Sequence, residues 1–321
     1  MVERGFAIIC LAATVVFGAE KNSLLLIGNK SDDTLSFVNV ATLKEVAKTT
    51  TGRAPHEVVV TPDGRTAFVS NYEGPGDSIS VIDVTTRTEK GRIPLGEHKA
   101  PHGLALNSDG SKLYATCERS ESVVEIDVAS EKVSRAFKTG QKGTHMLALT
   151  SDNKKLYTGN MGSGSSTVID LVKGEVIKHI KTGAICEGVD ITPDGKQAWT
   201  TNNGDDTLSV IDTKTDEVIA TIKCKGFPIR VKFTPDGQHA LVPCARSNEL
   251  ALVDVGKREE VKRVRTGGFP VGVLIDPDGK RAFVAFTADS TVAIYDLKTL
   301  SVVGKIVAGK QADGMALAEP E

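Results

Sequence analysis

An all-β chain folded as a seven-bladed β-propeller is what this sequence predicts, on three observations. A Pro-Asp-Gly type of turn phrase returns six times at a nearly fixed step, each step holds four short β-rich runs, and the two chain ends supply complementary parts of one more unit.

The turn phrase reads TPDGR at 61, NSDGS at 107, TSDNK at 150, TPDGK at 192, TPDGQ at 234 and DPDGK at 276. Its last turn residue falls at Gly64, Gly110, Asn153, Gly195, Gly237 and Gly279, giving steps of 46, 43, 42, 42 and 42 residues. Proline presets its own φ and glycine accepts φ > 0, which is hairpin chemistry. Around the turn stand EVVVT, TAFVSN and SISVIDV, and KGRIPLG closes the unit. Short runs rich in Val, Ile and Thr between such turns read as strands. Four of them in about 42 residues is the arithmetic of a propeller blade.

Six complete units run from about residue 53 to residue 308, with two fragments left over. The start, LLLIGNKSDDTLSFVNVATLKEVAKTTTG, supplies the later three strands of a blade, and ADGMALAEP at the end supplies the first. Joined, they make a seventh blade and pair an edge that would otherwise stay open.

The strand phrase that follows the turn is written FVSN at 68–71, YTGN at 157–160, WTTN at 199–202 and LIGN at 26–29, each before a loop rich in Asp and Ser. With this phrase the repeat resembles the YVTN family of β-propellers, whose members include lactonase-like and surface-layer-like proteins. The resemblance covers nearly the whole chain after residue 19. It implies the fold; function has to come from the site, because this fold hosts enzymes, cofactor carriers and scaffolds alike.

Composition narrows the partners. Aromatics are 5% and the formal net charge is −2, so neither a nucleic-acid footprint nor a membrane-surface patch is expected. The opening MVERGFAIICLAATVVFGAE has Arg4, an apolar run from Phe6 to Phe17 and small Gly18 and Ala19 before polar chain, a secretory signal pattern too short for a membrane span. The expected organisation is a signal peptide over 1–19 and one propeller over 20–321, placed in the periplasm or outside the cell with no membrane segment in the mature form. Export would leave Cys117, Cys186, Cys224 and Cys244 in an oxidising compartment. Cys224 could pair with Cys186 or Cys244, or all could be small buried thiols; sequence does not fix the connectivity.

Aligning the seven first strands brings one position into view: Asp313, His56, His102, His145, Glu187, Ile229 and Val271 in order of blades. Six histidines in 321 residues would put about 0.13 of one on seven chosen positions, and three are there. First strands line the channel of a propeller, so equivalent positions form a ring at one height. Three imidazoles with Glu187 and Asp313 could hold Zn, Fe, Cu or Mn and leave the Ile229 and Val271 side open to water or substrate. His98, His179 and His239 do not share the ring position. Two other readings stand beside this one: a substrate site without metal, as similar residues form in propeller lactonases that resemble this repeat, and polar filling between blades.

Three residues earlier in the frame come Arg53, Lys99, Lys142 and Lys310, a basic rim suited to an anionic small molecule. Solvated loop lysines would look the same. Phe227, Phe269 and Phe286, with Tyr72 and Met146, offer an apolar wall, and Asn71, Asn160, Asn202 and Arg230 are the polar candidates for substrate contact. A metal here would suit hydrolase, lyase or redox chemistry. No G-x-S-x-G elbow, P-loop or C-x-x-C-H phrase occurs. The resemblance also admits a non-covalent tetrapyrrole with one axial His, as in related propellers that carry haem d1. The competing class is a non-enzymatic periplasmic or surface propeller that binds a protein partner through its loops.

Overall fold

The computed structural model describes residues 23–74 and 77–319; the expected signal segment and Cys10 lie outside these residues. Seven four-stranded antiparallel sheets follow one another around a ring, and no α-helix occurs among the described residues. Among the described residues no helix is long and apolar enough to cross a membrane.

Blade 1 is the composite foreseen from the chain ends. Ala312–Ala318 is its innermost strand and pairs antiparallel with Leu24–Asn29, followed outward by Thr34–Asn39 and Lys44–Thr50. Leu24 meets Ala318 and Leu26 meets Ala316, so the last strand closes the ring on the first. Blades 2 to 7 begin at Pro55–Val60, Pro101–Leu106, Thr144–Leu149, Cys186–Ile191, Lys232–Phe233 and Pro270–Ile275. The innermost strand of blade 6 keeps only two residues, where the others have six or seven.

Burial follows position in the blade. Second and third strands such as Thr66–Asn71 and Ser78–Asp83 are buried almost throughout, while outer strands such as Thr88–Pro94 alternate exposed and half-buried. The core is therefore a series of layers between neighbouring blades. Phe37 and Leu35 of blade 1 pack on Val58, Ala67 and Val69 of blade 2, and Trp199 of blade 5 meets Phe233 of blade 6 edge-on at 5.3 Å. Each fully buried aromatic of this kind contributes roughly 2–3 kcal/mol by leaving water. Because each layer joins only adjacent blades, the hub can carry polar groups without emptying the core.

Candidate functional site

The chain reaches the channel the same way in every blade. Two residues before each ring position the backbone is left-handed, at Gln311, Ala54, Ala100, Gly143, Ile185, Phe227 and Phe269, with φ between 51° and 69°. Six of these seven carry a side chain, a conformation that costs about 1–2 kcal/mol each and needs outside support. The support is a hydrogen bond: the carbonyls of Ala54, Ala100 and Ile185 accept from the backbone N–H of Tyr72, Glu118 and Asn203 at 3.1, 2.9 and 3.1 Å. Register then shifts across the ring residue, between Pro55 and Val58, Pro101 and Leu104, Thr144 and Met146, and Cys186 and Val189. A bulge re-aims the side chain at its centre. Gly314, one residue past Asp313, sits so close to the next blade that a Cβ would meet the His56 carbonyl oxygen.

The three histidines come together. Ring centroids of His56 and His102 are 4.5 Å apart and those of His102 and His145 are 3.6 Å apart, with Tyr72 at 4.6 Å from His56. All three histidines are buried. Burial, aided by the positive charge of Lys30, lowers the His56 pKa to about 4, and burial likewise pushes that of His102 well below the usual histidine range. His56 and His102 are therefore neutral at physiological pH, the form that a metal ion requires of its imidazole ligands.

Their second nitrogens are unequal. His56 Nδ1 donates to the Ala54 carbonyl at 2.8 Å, and His145 Nδ1 lies 2.7 Å from Glu118 Oε2. Both acceptors hold a proton on Nδ1, and in the neutral His56 ring this leaves the Nε2 lone pair available. His102 Nδ1 is buried with no hydrogen-bond partner. Tyr72 donates its hydroxyl to the same Glu118 oxygen at 3.1 Å. Burial pushes the Glu118 carboxyl up, but the hydrogen bond and charge of His145 outweigh it and hold the group below its ordinary value.

Carboxylates complete the hub. Glu187 Oε1 is 3.7 Å from His145 Nε2 and 3.0 Å from Arg230 Nη1, while Asn203 donates to its other oxygen. Arg230 Nη2 reaches Glu57 Oε1 at 2.8 Å, so one guanidinium spans the channel between blades 2 and 5. Asp313 Oδ2 pairs with Lys30 Nζ at 2.8 Å and its Oδ1 is buried without a partner. Four carboxyl groups, Glu57, Glu118, Glu187 and Asp313, thus stand around the two basic side chains Arg230 and Lys30. Among the described residues no group of three or more His, Cys, Asp or Glu side chains is set to hold a metal ion. The imidazoles lie against one another rather than fanned about a point.

The YNCE-like beta-propeller description matches residues 6–96 and 92–281. The chain belongs to the YNCE-like β-propeller family. No curated protein matches its sequence significantly. Among solved structures, the Kuenenia stuttgartiensis hydrazine synthase is similar at 23% identity and TM-score 0.75, over 90% of this chain and 93% of that one. A functionally unknown protein from Desulfotomaculum acetoxidans DSM 771 is similar at 12% identity and TM-score 0.79, over 93% and 99%. At these identities the likeness shows the fold alone.

In this YNCE-like propeller the other sequence candidates are placed differently from the histidines. Arg53, Lys99, Lys142 and Lys310 are exposed on the loops, Lys99 bound to Asp77 at 3.3 Å, and none bonds to the histidines among the described residues. Asn71, Asn160 and Asn202 are fully buried inside their blades. Their amides donate to Ser78 and Ser80, to Ser165 and Thr167, and to Thr207 and Ser209, so they frame the blades instead of facing a ligand. Phe227 packs with Ile229 and Val271 in a small apolar cluster and carries Arg246 over its face at 3.9 Å. Phe286 belongs to the core between blades and Phe269 is exposed.

Sequence reasoning missed Lys30, Glu57, Glu118 and Asn203. The signal was present in the same repeat. The residue that follows each second strand is Lys30, Tyr72, Glu118, Met161, Asn203, Ala245 and Thr287 in order of blades, a second ring whose backbone N–H ties to the left-handed residue described above. Reading that column would have paired Lys30 with Asp313, Glu118 with His145 and Asn203 with Glu187.

Proposed function

We propose that the hub binds one divalent transition-metal ion through His56, His102 and His145, with Glu187 as carboxylate partner and Asp313 as a further oxygen donor. The observation that carries this reading is the Glu118–His145 hydrogen bond at 2.7 Å, the carboxylate–imidazole arrangement that orients metal-ligating histidines and raises their basicity. The buried, unpartnered His102 Nδ1 and Asp313 Oδ1 support it, because each leaves a lone-pair donor in the hub without a partner. Zn, Fe, Cu and Mn are the candidates for such a nitrogen and oxygen donor set. A small anionic ligand would meet the ion from the open side, against Ile229, Val271 and Phe227. There the ion would supply Lewis-acid chemistry to a carbonyl-bearing molecule.

We read the chain as exported to the periplasm or the cell exterior, on the apolar run from Phe6 to Phe17 between Arg4 and the small residues Gly18 and Ala19. A protein partner held by the loops remains compatible with a hub that binds a small ligand.

A second reading has one observation in its favour: Glu187 and Asp313 are already matched to Arg230 and Lys30. A hub without metal would then take a small organic ligand by hydrogen bonds from neutral imidazoles. Titrating the chelator-treated protein with Co²⁺ separates the two. Saturable visible bands at one equivalent support the metal reading, and a spectrum unchanged from free Co²⁺ rejects it.

A further inference from the structure

Cys224 and Cys244 occupy facing positions in a frame that every blade repeats. The residue at the Cys224 position, just past the outer strand, donates its backbone N–H to the preceding loop in all seven blades: Thr51, Leu95, Thr139, Thr182, Cys224, Thr266 and Ala308. The residue at the Cys244 position ends the second strand, and is Asn in blades 1, 2, 4 and 5. In blade 1 the Asn29 amide oxygen accepts from the backbone N–H of Gly309, the residue after Ala308, at 2.9 Å. Blade 3 has cysteine at one position only, Cys117 beside Leu95. Blade 6 alone has cysteine at both.

The two thiols are fully buried and their sulfurs are 3.7 Å apart, within reach of the roughly 2.05 Å of a disulfide by side-chain rotation. Arg263 Nη2 lies 3.9 Å from Cys224 Sγ, held there by Glu260 at 2.6 Å. The hydrogen bond from Cys224 draws the Cys244 thiol below its usual range, with Arg263 adding to the effect against the opposing push of burial.

We propose that Cys224 and Cys244 form a disulfide that staples the start of blade 6 to its second strand. In forming it, two S–H bonds are replaced by one S–S bond and the pair of thiols loses two protons and two electrons. A disulfide of an oxidoreductase or of a small thiol takes up the two electrons and two protons and leaves as two thiols. The staple sits where the backbone is least paired. The innermost strand of blade 6 spans only Lys232–Phe233, with Pro228 bridged singly to Cys244. Between the two cysteines lies Arg230, so the bond fixes the segment that carries the guanidinium across the channel.

This inference does not rest on the metal, and its readout is separate. The full chain is refolded from guanidinium in a mixture of reduced and oxidised glutathione, alkylated, digested and mapped. The expected result is a linked peptide pair holding Cys224 and Cys244, retained in Cys117→Ala. The oxidised chain should also melt about 5 °C above the same chain reduced by a phosphine. Recovery of both cysteines alkylated in the folded chain, or of either linked to Cys117 or Cys186, overturns it. Cys224→Ser, Cys244→Ser and the phosphine-reduced wild type give independent routes to the melting comparison if one variant fails to fold.

Discussion

His145 Nδ1 stands 2.7 Å from Glu118 Oε2, joining the innermost strand of blade 4 to the short turn that follows the second strand of blade 3. The bond sets the tautomer of one hub imidazole and leaves its Nε2 3.7 Å from Glu187. Replacing Glu118 by Gln keeps the shape and removes the charge. Metal affinity should then fall roughly 10–100-fold with the melting temperature little changed, as outer-shell carboxylates behave elsewhere. A Co²⁺ titration of Glu118→Gln beside the wild type measures it.

Arg230 is the bolt of the hub, bonded to Glu187 at 3.0 Å and Glu57 at 2.8 Å. Burial alone would lower its pKa, but the two carboxylates reverse this and keep it charged. Arg230→Met leaves the buried Glu187 and the half-buried Glu57 without their cation, which should lower unfolding stability by about 3–5 kcal/mol. Denaturant midpoints report the loss, and adding Glu57→Gln to Arg230→Met should restore part of it.

Acid should weaken the metal-free protein through its buried imidazoles. The folded His56 pKa is near 4 against an ordinary value of 6.5. Between these values the unfolded chain binds a proton that the folded one refuses, so stability is full above pH 6.5 and falls as pH drops toward 4. For His56 the loss is about 2 kcal/mol at pH 5, and His102 adds to it in the same direction. Guanidinium unfolding of the chelated protein at pH 7 and pH 5 measures the difference, and equal midpoints would remove the buried neutral imidazoles from the account.

Asn202 tests the division between blade frame and hub. Its amide donates to Thr207 at 3.0 Å and Ser209 at 2.9 Å, so Asn202→Ala should destabilise by about 1–3 kcal/mol. Metal affinity should stay within twofold of wild type. A large loss of metal with normal stability would return this asparagine to the binding site.

The repeat made the fold legible, because turn chemistry and strand composition agree in every unit and the two ends complete one another. It also made the His56, His102 and His145 column legible. What it hid was anything decided by cross-blade geometry. Asn71, Asn160 and Asn202 look like mouth residues by position, yet the Ser and Thr of the next strand satisfy them within the blade. Lys30 and Glu118 carry no motif of their own, and only the left-handed turn and its hydrogen bond bring them against the first-strand ring. Blade 6 departs most from the pattern, and the sequence left Cys224 facing either Cys186 or Cys244, a choice that the 3.7 Å between the Cys224 and Cys244 sulfurs decides.

The central claim is that His56, His102 and His145 form a metal-binding hub, and elemental mass spectrometry of the untagged protein beside His102→Ala tests it most directly. The account predicts about one Zn, Fe, Cu or Mn per wild-type chain and none in a variant that melts cooperatively. Wild-type protein that holds no metal, even after incubation with each ion and removal of the excess, would contradict it and leave the hub as a metal-free ligand site.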